Sequence, residues 1–267
     1  MTQIHPLPNV VDVCEKLVIR ARESFGSTYR IIYGHGLFVK AVRHGRSILT
    51  LTKEEDEQDI GGMCFLARCI MEAYKAASYF LEAGLSANEA DMRLQLFSLN
   101  HSTDLCKIHE RLGISKSDSL HHMTREWSLK KLEHNPIFMS LDEKHKNNLR
   151  RGKSPYQHNR YAGKNLLPSD VESGLYTLFS HSAHSFSLSL PETGSGSASA
   201  SGAANSFFLA ADVASIHLAA FGLLYWRVRH RAIKYLSPKE RTILKESSSP
   251  SHLIERLEKI RSRYSEW

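Results

Sequence analysis

Three features of this sequence predict an all-α protein. Apolar residues recur at intervals of three and four over long stretches, glycines stand just past the ends of those stretches, and alternating strand-like runs are few. With 267 residues, 42% hydrophobic and 24% charged, the chain has the balance of a folded protein and the length for a continuous core. The expected architecture is a multi-helix bundle, one helical domain over residues 1–267, with a basic connecting segment and a basic C-terminal helical segment.

The stretch from Val10 to Phe25 sets Val10, Val13, Leu17 and Ala21 at helical spacing, with Asn9 or Asp12 as its cap. From Tyr29 to Leu51 the pattern is mixed. Tyr29, Ile31 and Tyr33 alternate as in a strand, Phe38, Val42 and Leu49 suit a helix, and Gly34 and Gly36 predict a bend, with at most a hairpin there. The clearest helix runs from Ile60 to Leu85, with Met63, Ala67, Ile70, Met71 and Leu81 on one face and Gly84 as its stop. A second spans Ala87 to Leu112, with Met92, Leu96, Leu99, Thr103, Cys106 and Leu112 inward and Gly113 past its end. Ser115 to Leu132 reads as a charged, His-bearing helix that Pro136 interrupts.

Residues 125–168 are poor in apolar side chains and read as a basic, exposed connection holding one short helix. Pro168-Ser169-Asp170 then starts a helix from Val171 to Leu188. Residues 191–206, which contain GSGSASASG, predict a flexible Gly/Ser-rich connector. Phe207 to Tyr235 is an apolar helix that turns basic at its end, where cations suit the helix dipole, and Leu253 to Tyr264 is a short amphipathic one.

The net charge of +7 is regional. Arg125 to Lys164 holds ten Lys/Arg against four Asp/Glu, and Arg227 to Trp267 eleven against five, so the remainder is acidic. Two basic segments on an acidic body would attract a polyanion or an acidic protein, or simply be solvated. Cys14, Cys64, Cys69 and Cys106 lack C-x-x-C spacing, and charges punctuate the first 26 residues where a secretory segment would be apolar. Reduced thiols and a cytoplasmic location are expected.

Two signals point elsewhere. Leu190-Pro191-Glu192-Thr193-Gly194 matches the L-P-x-T-G sorting motif of Gram-positive surface proteins, but the chain continues well beyond the basic residues that follow, so wall anchoring is not expected. Ser206 to Trp226 is long and apolar enough to cross a bilayer. Asp212 stands within it, and a carboxylate near a span's centre costs about 2.5–3.5 kcal/mol. No membrane span is predicted; a buried core helix is, in which Asp212 and His217 need partners.

Candidate chemistry is concentrated in two helices. Arg68 and Glu72 are four apart beside an apolar stripe, so Arg68 is a candidate to bind an anion with Glu72 orienting it. Tyr176, Ser180 and His184 are spaced by four and four, a phenol, a hydroxyl and an imidazole on one helical line, and are the candidate catalytic residues. The competing readings are an intrahelical ion pair and a buried polar network. Arg30 and His35 have the R-x4-H spacing of the HEPN helical ribonucleases, a spacing that chance supplies readily among 15 histidines. His121, His122, His134, His145 and His158 lack helical metal-site spacing, so no metal site is expected, and no cofactor is implied because nucleotide and redox motifs are missing.

On Leu66-Ala-Arg68-Cys-Ile-Met-Glu72 followed by Tyr79, and on Tyr176-Thr-Leu-Phe-Ser180-His-Ser-Ala-His184, the chain resembles a family of uncharacterised all-helical bacterial proteins. Their shared pattern reads L-x-R-x-x-x-E and Y-x-x-x-S-x-x-x-H. The resemblance spans roughly Ser47 to Ala220 and implies a helical bundle in which Arg68, Glu72, Tyr176, Ser180 and His184 converge. The expected function is binding or acting on a polyanion, nucleic acid above all, in a bacterial stress or phage-defence setting. The alternative is a non-enzymatic interaction module whose basic segments contact an acidic protein partner. Whether the chain is an enzyme, and its oligomeric state, stay open at this point.

Overall fold

The computed structural model describes residues 5–22, 28–52, 59–114, 120–156, 165–183, 197–229 and 236–264, and the described residues form eleven helices and no strand. The all-α prediction is therefore right. Within the expected single domain the chain divides into two compact units, Met1–Ser78 with Lys164–Trp267, and Tyr79–Gly163. The second unit separates because its apolar faces close on one another. Met92, Leu96, Leu99, Leu132, Phe138 and Leu149 make a core of their own.

In the first unit α1 (Leu7–Arg22), α2 (Tyr29–Leu51) and most of α3 (Ile60–Phe80) combine with α8 (Ser169–Ala183) and the three helices that follow it. The centre is α9 (Ser197–Val228), against which α1, α2, α10 (Pro238–Ser247) and α11 (Ser251–Tyr264) pack. Phe38 of α2 stacks on Tyr225 at 4.4 Å between ring centroids and meets Phe221 edge-on at 5.0 Å. The apolar stretch that suggested a bilayer span is this core helix, Asn205–Val228, with 78% of its most apolar window buried. Asp212 has the partners it required, since His5 Nε2 lies 3.0 Å from one carboxylate oxygen and Arg256 Nε donates to the other at 2.7 Å.

Three local expectations change. Residues 29–51 form one unbroken helix with neither bend nor hairpin. The face Phe38, Ala41, Val42, Gly45 and Ile48 is buried, and a side chain at Gly45 would stand 2.9 Å from both Leu218 and Val11, so glycine there lets three helices approach closely. Tertiary packing thus overrides the weak helix propensity of glycine. The expected connector 191–206 is helical from Ser197 onward, as alanine and serine continue the helix whose apolar part anchors it. The helix α10, not foreseen, starts on a capping box in which Ser237 accepts from Glu240 N and the Glu240 carboxylate accepts from Ser237 N.

The second unit is built on an antiparallel hairpin of α4 (Ala87–Arg111) and α5 (Leu120–Glu133), closed by α6 (Pro136–Met139) and α7 (Glu143–Arg150). Ser86 caps α4 with a capping box to Glu89, and Gly84 and Gly113 adopt φ of +81° and +70° at the predicted stops. Leu112, expected inward, is exposed at the C-cap of α4. The expected exposed connection over 125–168 is corrected in its first half, because α5 to α7 fold there around Leu132, Phe138 and Leu149. Asn135 holds this arrangement. It is buried, its Oδ1 accepts from Ile137 N at 3.0 Å as the cap of α6, and its Nδ2 donates to Asn88 O at 2.8 Å. Asn135→Ala should destabilise this unit by about 1–3 kcal/mol, because α6 loses its cap and Asn88 O loses its donor. Hydrogen exchange that leaves α5 and α6 amides as protected as in the wild type would contradict this role.

Candidate functional site

The helices α3 and α8 (Ser169–Ala183) bring together three of the five candidate residues. Arg68 Nε donates to Glu72 Oε1 at 3.0 Å, and an Arg68 terminal nitrogen donates to the Tyr176 hydroxyl at 2.8 Å. Tyr176 in turn donates to the same Glu72 oxygen at 2.9 Å, and the guanidinium carbon lies 4.5 Å from the centre of the phenol ring. The triangle is closed, so its members satisfy one another. Burial, and then the neighbouring Glu72 carboxylate, push the Tyr176 pKa up, which keeps the phenol a donor. Ser180 does not join it: its hydroxyl donates to the Tyr176 backbone carbonyl at 2.6 Å, inside its own helix. His184 lies outside the described residues.

The polar line continues one turn further, through residues that motif spacing had not singled out. Lys75, three after Glu72, ion-pairs with Glu172, four before Tyr176, and the Glu172 side chain is 3% exposed. The signal was available in the i+3 and i+4 continuation of the two lines. His217 of α9 is fully buried and meets the Tyr74 ring edge-on at 5.9 Å. Its Nδ1 donates to Val213 O at 2.9 Å, and its Nε2 has no hydrogen-bond partner among the described residues. Burial pushes the His217 pKa down to about 4, so the ring is neutral at physiological pH.

The remaining candidates are absorbed by packing. His35 Nδ1 lies 2.7 Å from the Tyr225 hydroxyl, joining α2 to α9. The four cysteines are free; Cys14 and Cys64 are buried, and burial pushes the Cys64 thiol up to about 11. No group of three His, Cys, Asp or Glu among the described residues is placed to hold a metal. The C-terminal basic segment is less open than its charge suggests, for Arg229 is buried and donates to Ala21 O at 3.3 Å, while Arg256 serves Asp212.

In the second unit the basic segment forms a concavity of about 560 Å³ at α7. Lys144, His145, Asn148, Arg151, Lys153 and Ser154 line it, with Asp142 as its one carboxylate. Asp142 is engaged as the cap of α7, accepting from His145 N at 2.8 Å. Neighbouring cations are spent: Lys146 pairs with Glu143 at 2.6 Å, and Arg150 lies 3.4 Å from both Glu133 and Glu143. Lys144, Arg151 and Lys153 are exposed and form no ion pair among the described residues.

Fold and site together define an all-α chain of two helical units, one with a partly buried polar seam and the other with a cationic concavity. The chain matches no protein-family model, no curated protein and no solved structure.

Proposed function

We propose that this protein binds a polyanion, nucleic acid, through the concavity at α7. The supporting observation is the placement of Lys144, Arg151 and Lys153 on one hollow with hydrogen-bonding Asn148 and Ser154, while the adjacent Lys146 and Arg150 are neutralised by carboxylates. Three uncompensated cations with neutral donors between them suit successive phosphates, whose contacts position a nucleic acid without reading its sequence. The Arg68, Glu72 and Tyr176 triangle supports a structural role, since Glu72 and Tyr176 already hold two of the guanidinium nitrogens and tie α3 to α8. The function is accordingly one of binding, and the resemblance to uncharacterised bacterial helical proteins suits a stress or phage-defence setting.

Fluorescence anisotropy with a labelled single-stranded oligonucleotide at several salt concentrations tests this. Removing three phosphate contacts with Lys144→Ala, Arg151→Ala and Lys153→Ala should flatten the slope of log affinity against log salt by about 2. The alternative, in which the same hollow receives an acidic protein segment, predicts saturable binding of labelled polyglutamate and none of the oligonucleotide. A triple variant with unaltered affinity and slope would remove the concavity from either role.

A further inference from the structure

The hollow at α7 holds more room than phosphate contacts require. Cations can grip a nucleic-acid backbone from a flat surface, whereas about 560 Å³ falls in the range of roughly 300–1,000 Å³ of sites that enclose a molecule the size of a nucleotide. Its floor is apolar, for Leu149 is buried and belongs to the core of this unit. The half-buried His145 and the exposed Asn148 line it from one helix face, three residues apart. Lys144, Arg151 and Lys153 are exposed, so their charges lie on the solvent side of that floor. A phosphate seated inside would meet the Asp142 carboxylate, which also lines the hollow; an uncharged group would not.

The wall that carries two of the cations is fastened in place. Gly152, between Arg151 and Lys153, is buried at a φ of +62°, and its N–H donates to Leu149 O at 2.9 Å. Its carbonyl accepts from Asn100 Nδ2 of α4 at 2.9 Å, and a side chain at this position would collide with Thr103 of the same helix. The turn therefore sits directly on α4, and the hollow is preformed, so filling it costs little ordering of the protein.

We propose that this hollow receives one unpaired base, so that the ligand is single-stranded nucleic acid, with Lys144, Arg151 and Lys153 on the phosphates that flank the base. The inference rests on the polyanion reading of the same site and names the class of polyanion. A base has flat apolar faces that suit Leu149 and the His145 ring, and a polar edge that suits the Asn148 amide, which both donates and accepts. In a duplex the base is paired as well as stacked, and both must be given up before it can enter; in a single strand only stacking is lost. Every base has such faces, so the selection is for strandedness more than for sequence.

Fluorescence anisotropy of the full chain with three labelled ligands is the test: a short single strand, the same strand annealed to its complement, and an abasic strand with the same number of phosphates. The single strand should bind about tenfold more tightly than either of the others, the gain expected from one stacked base. His145→Ala with Asn148→Ala should bring the single strand to the abasic level and leave the abasic affinity unchanged, with unaltered circular dichroism, as alanine suits a helix. Asn148→Ala alone, at an exposed position, should weaken the single strand by about two- to tenfold. A single strand that binds no better than the abasic one or the duplex would overturn the inference; if Lys144→Ala, Arg151→Ala and Lys153→Ala still flatten the salt slope, the polyanion reading stands without it. A double variant that weakens the abasic strand equally would also overturn it, by showing that His145 and Asn148 serve the phosphates. No binding of any strand would remove both readings.

Discussion

Lys75→Met should destabilise the first unit by about 3–5 kcal/mol, the largest loss expected from any surface-reaching side chain of this protein, because it strands a charge. The Glu172 side chain is 3% exposed, and Lys75 is its ion-pair partner. Removing one member of a buried pair leaves the other desolvated and uncompensated, whereas replacing both removes the desolvation cost together with the attraction. The double variant Lys75→Met with Glu172→Leu should therefore recover most of the loss, to within about 1–2 kcal/mol of the wild type. Chemical denaturation followed by circular dichroism measures both. Additive losses would show that the two residues act independently, and a loss below about 1 kcal/mol for Lys75→Met would show that water reaches Glu172.

The second large effect is in the pH dependence of stability. Burial holds the His217 pKa at about 4 in the folded protein, against 6.5 for an unperturbed imidazole. Between these values the unfolded chain binds a proton that the folded one refuses, so protonation pulls toward unfolding as the pH falls. The associated stability is fully present above pH 6.5 and is lost progressively down to pH 4. A difference of this size corresponds to about 3 kcal/mol. Lys75 opposes the positive charge on His217, while Glu172 and the bond to Val213 O favour it. Because carboxylates titrate over part of the same range, the informative quantity is the difference between wild type and His217→Gln, which cannot titrate. The wild type should lose about 3 kcal/mol more than the variant from pH 7 to pH 4, and parallel curves would show that His217 is not a buried neutral imidazole.

These two effects concern residues that motif spacing passes over. Arg68, Glu72 and Tyr176 stood out because an ion pair beside an apolar stripe and an i+4 line of polar groups are visible along one helix, and they do converge. Ser180 stood on the same line, yet its hydroxyl turns to the Tyr176 carbonyl, a choice of rotamer that spacing does not express. Lys75 and Glu172 carry no mark of their role along either helix, since burial of a charged side chain depends on what the opposing helix offers, and that partner lies far away in the chain.

What the sequence determined by itself is local. The i, i+3, i+4 recurrence established α3 and α4, the capping box at Ser86 started α4, and Gly84 and Gly113 marked stops where positive φ excludes most other residues. The all-α class follows from those short-range rules. The tertiary structure decided the rest. Gly45 sits inside an unbroken α2 because Val11 and Leu218 leave no room for a side chain, and Arg229 is buried where it donates to Ala21 O, far away in the chain. The chain makes two units because Met92, Leu96, Leu99, Leu132, Phe138 and Leu149 close on one another in a core of their own. Periodicity tells which face of a helix is apolar; which helix covers it depends on long-range contacts whose energy appears only when the chain has closed upon itself.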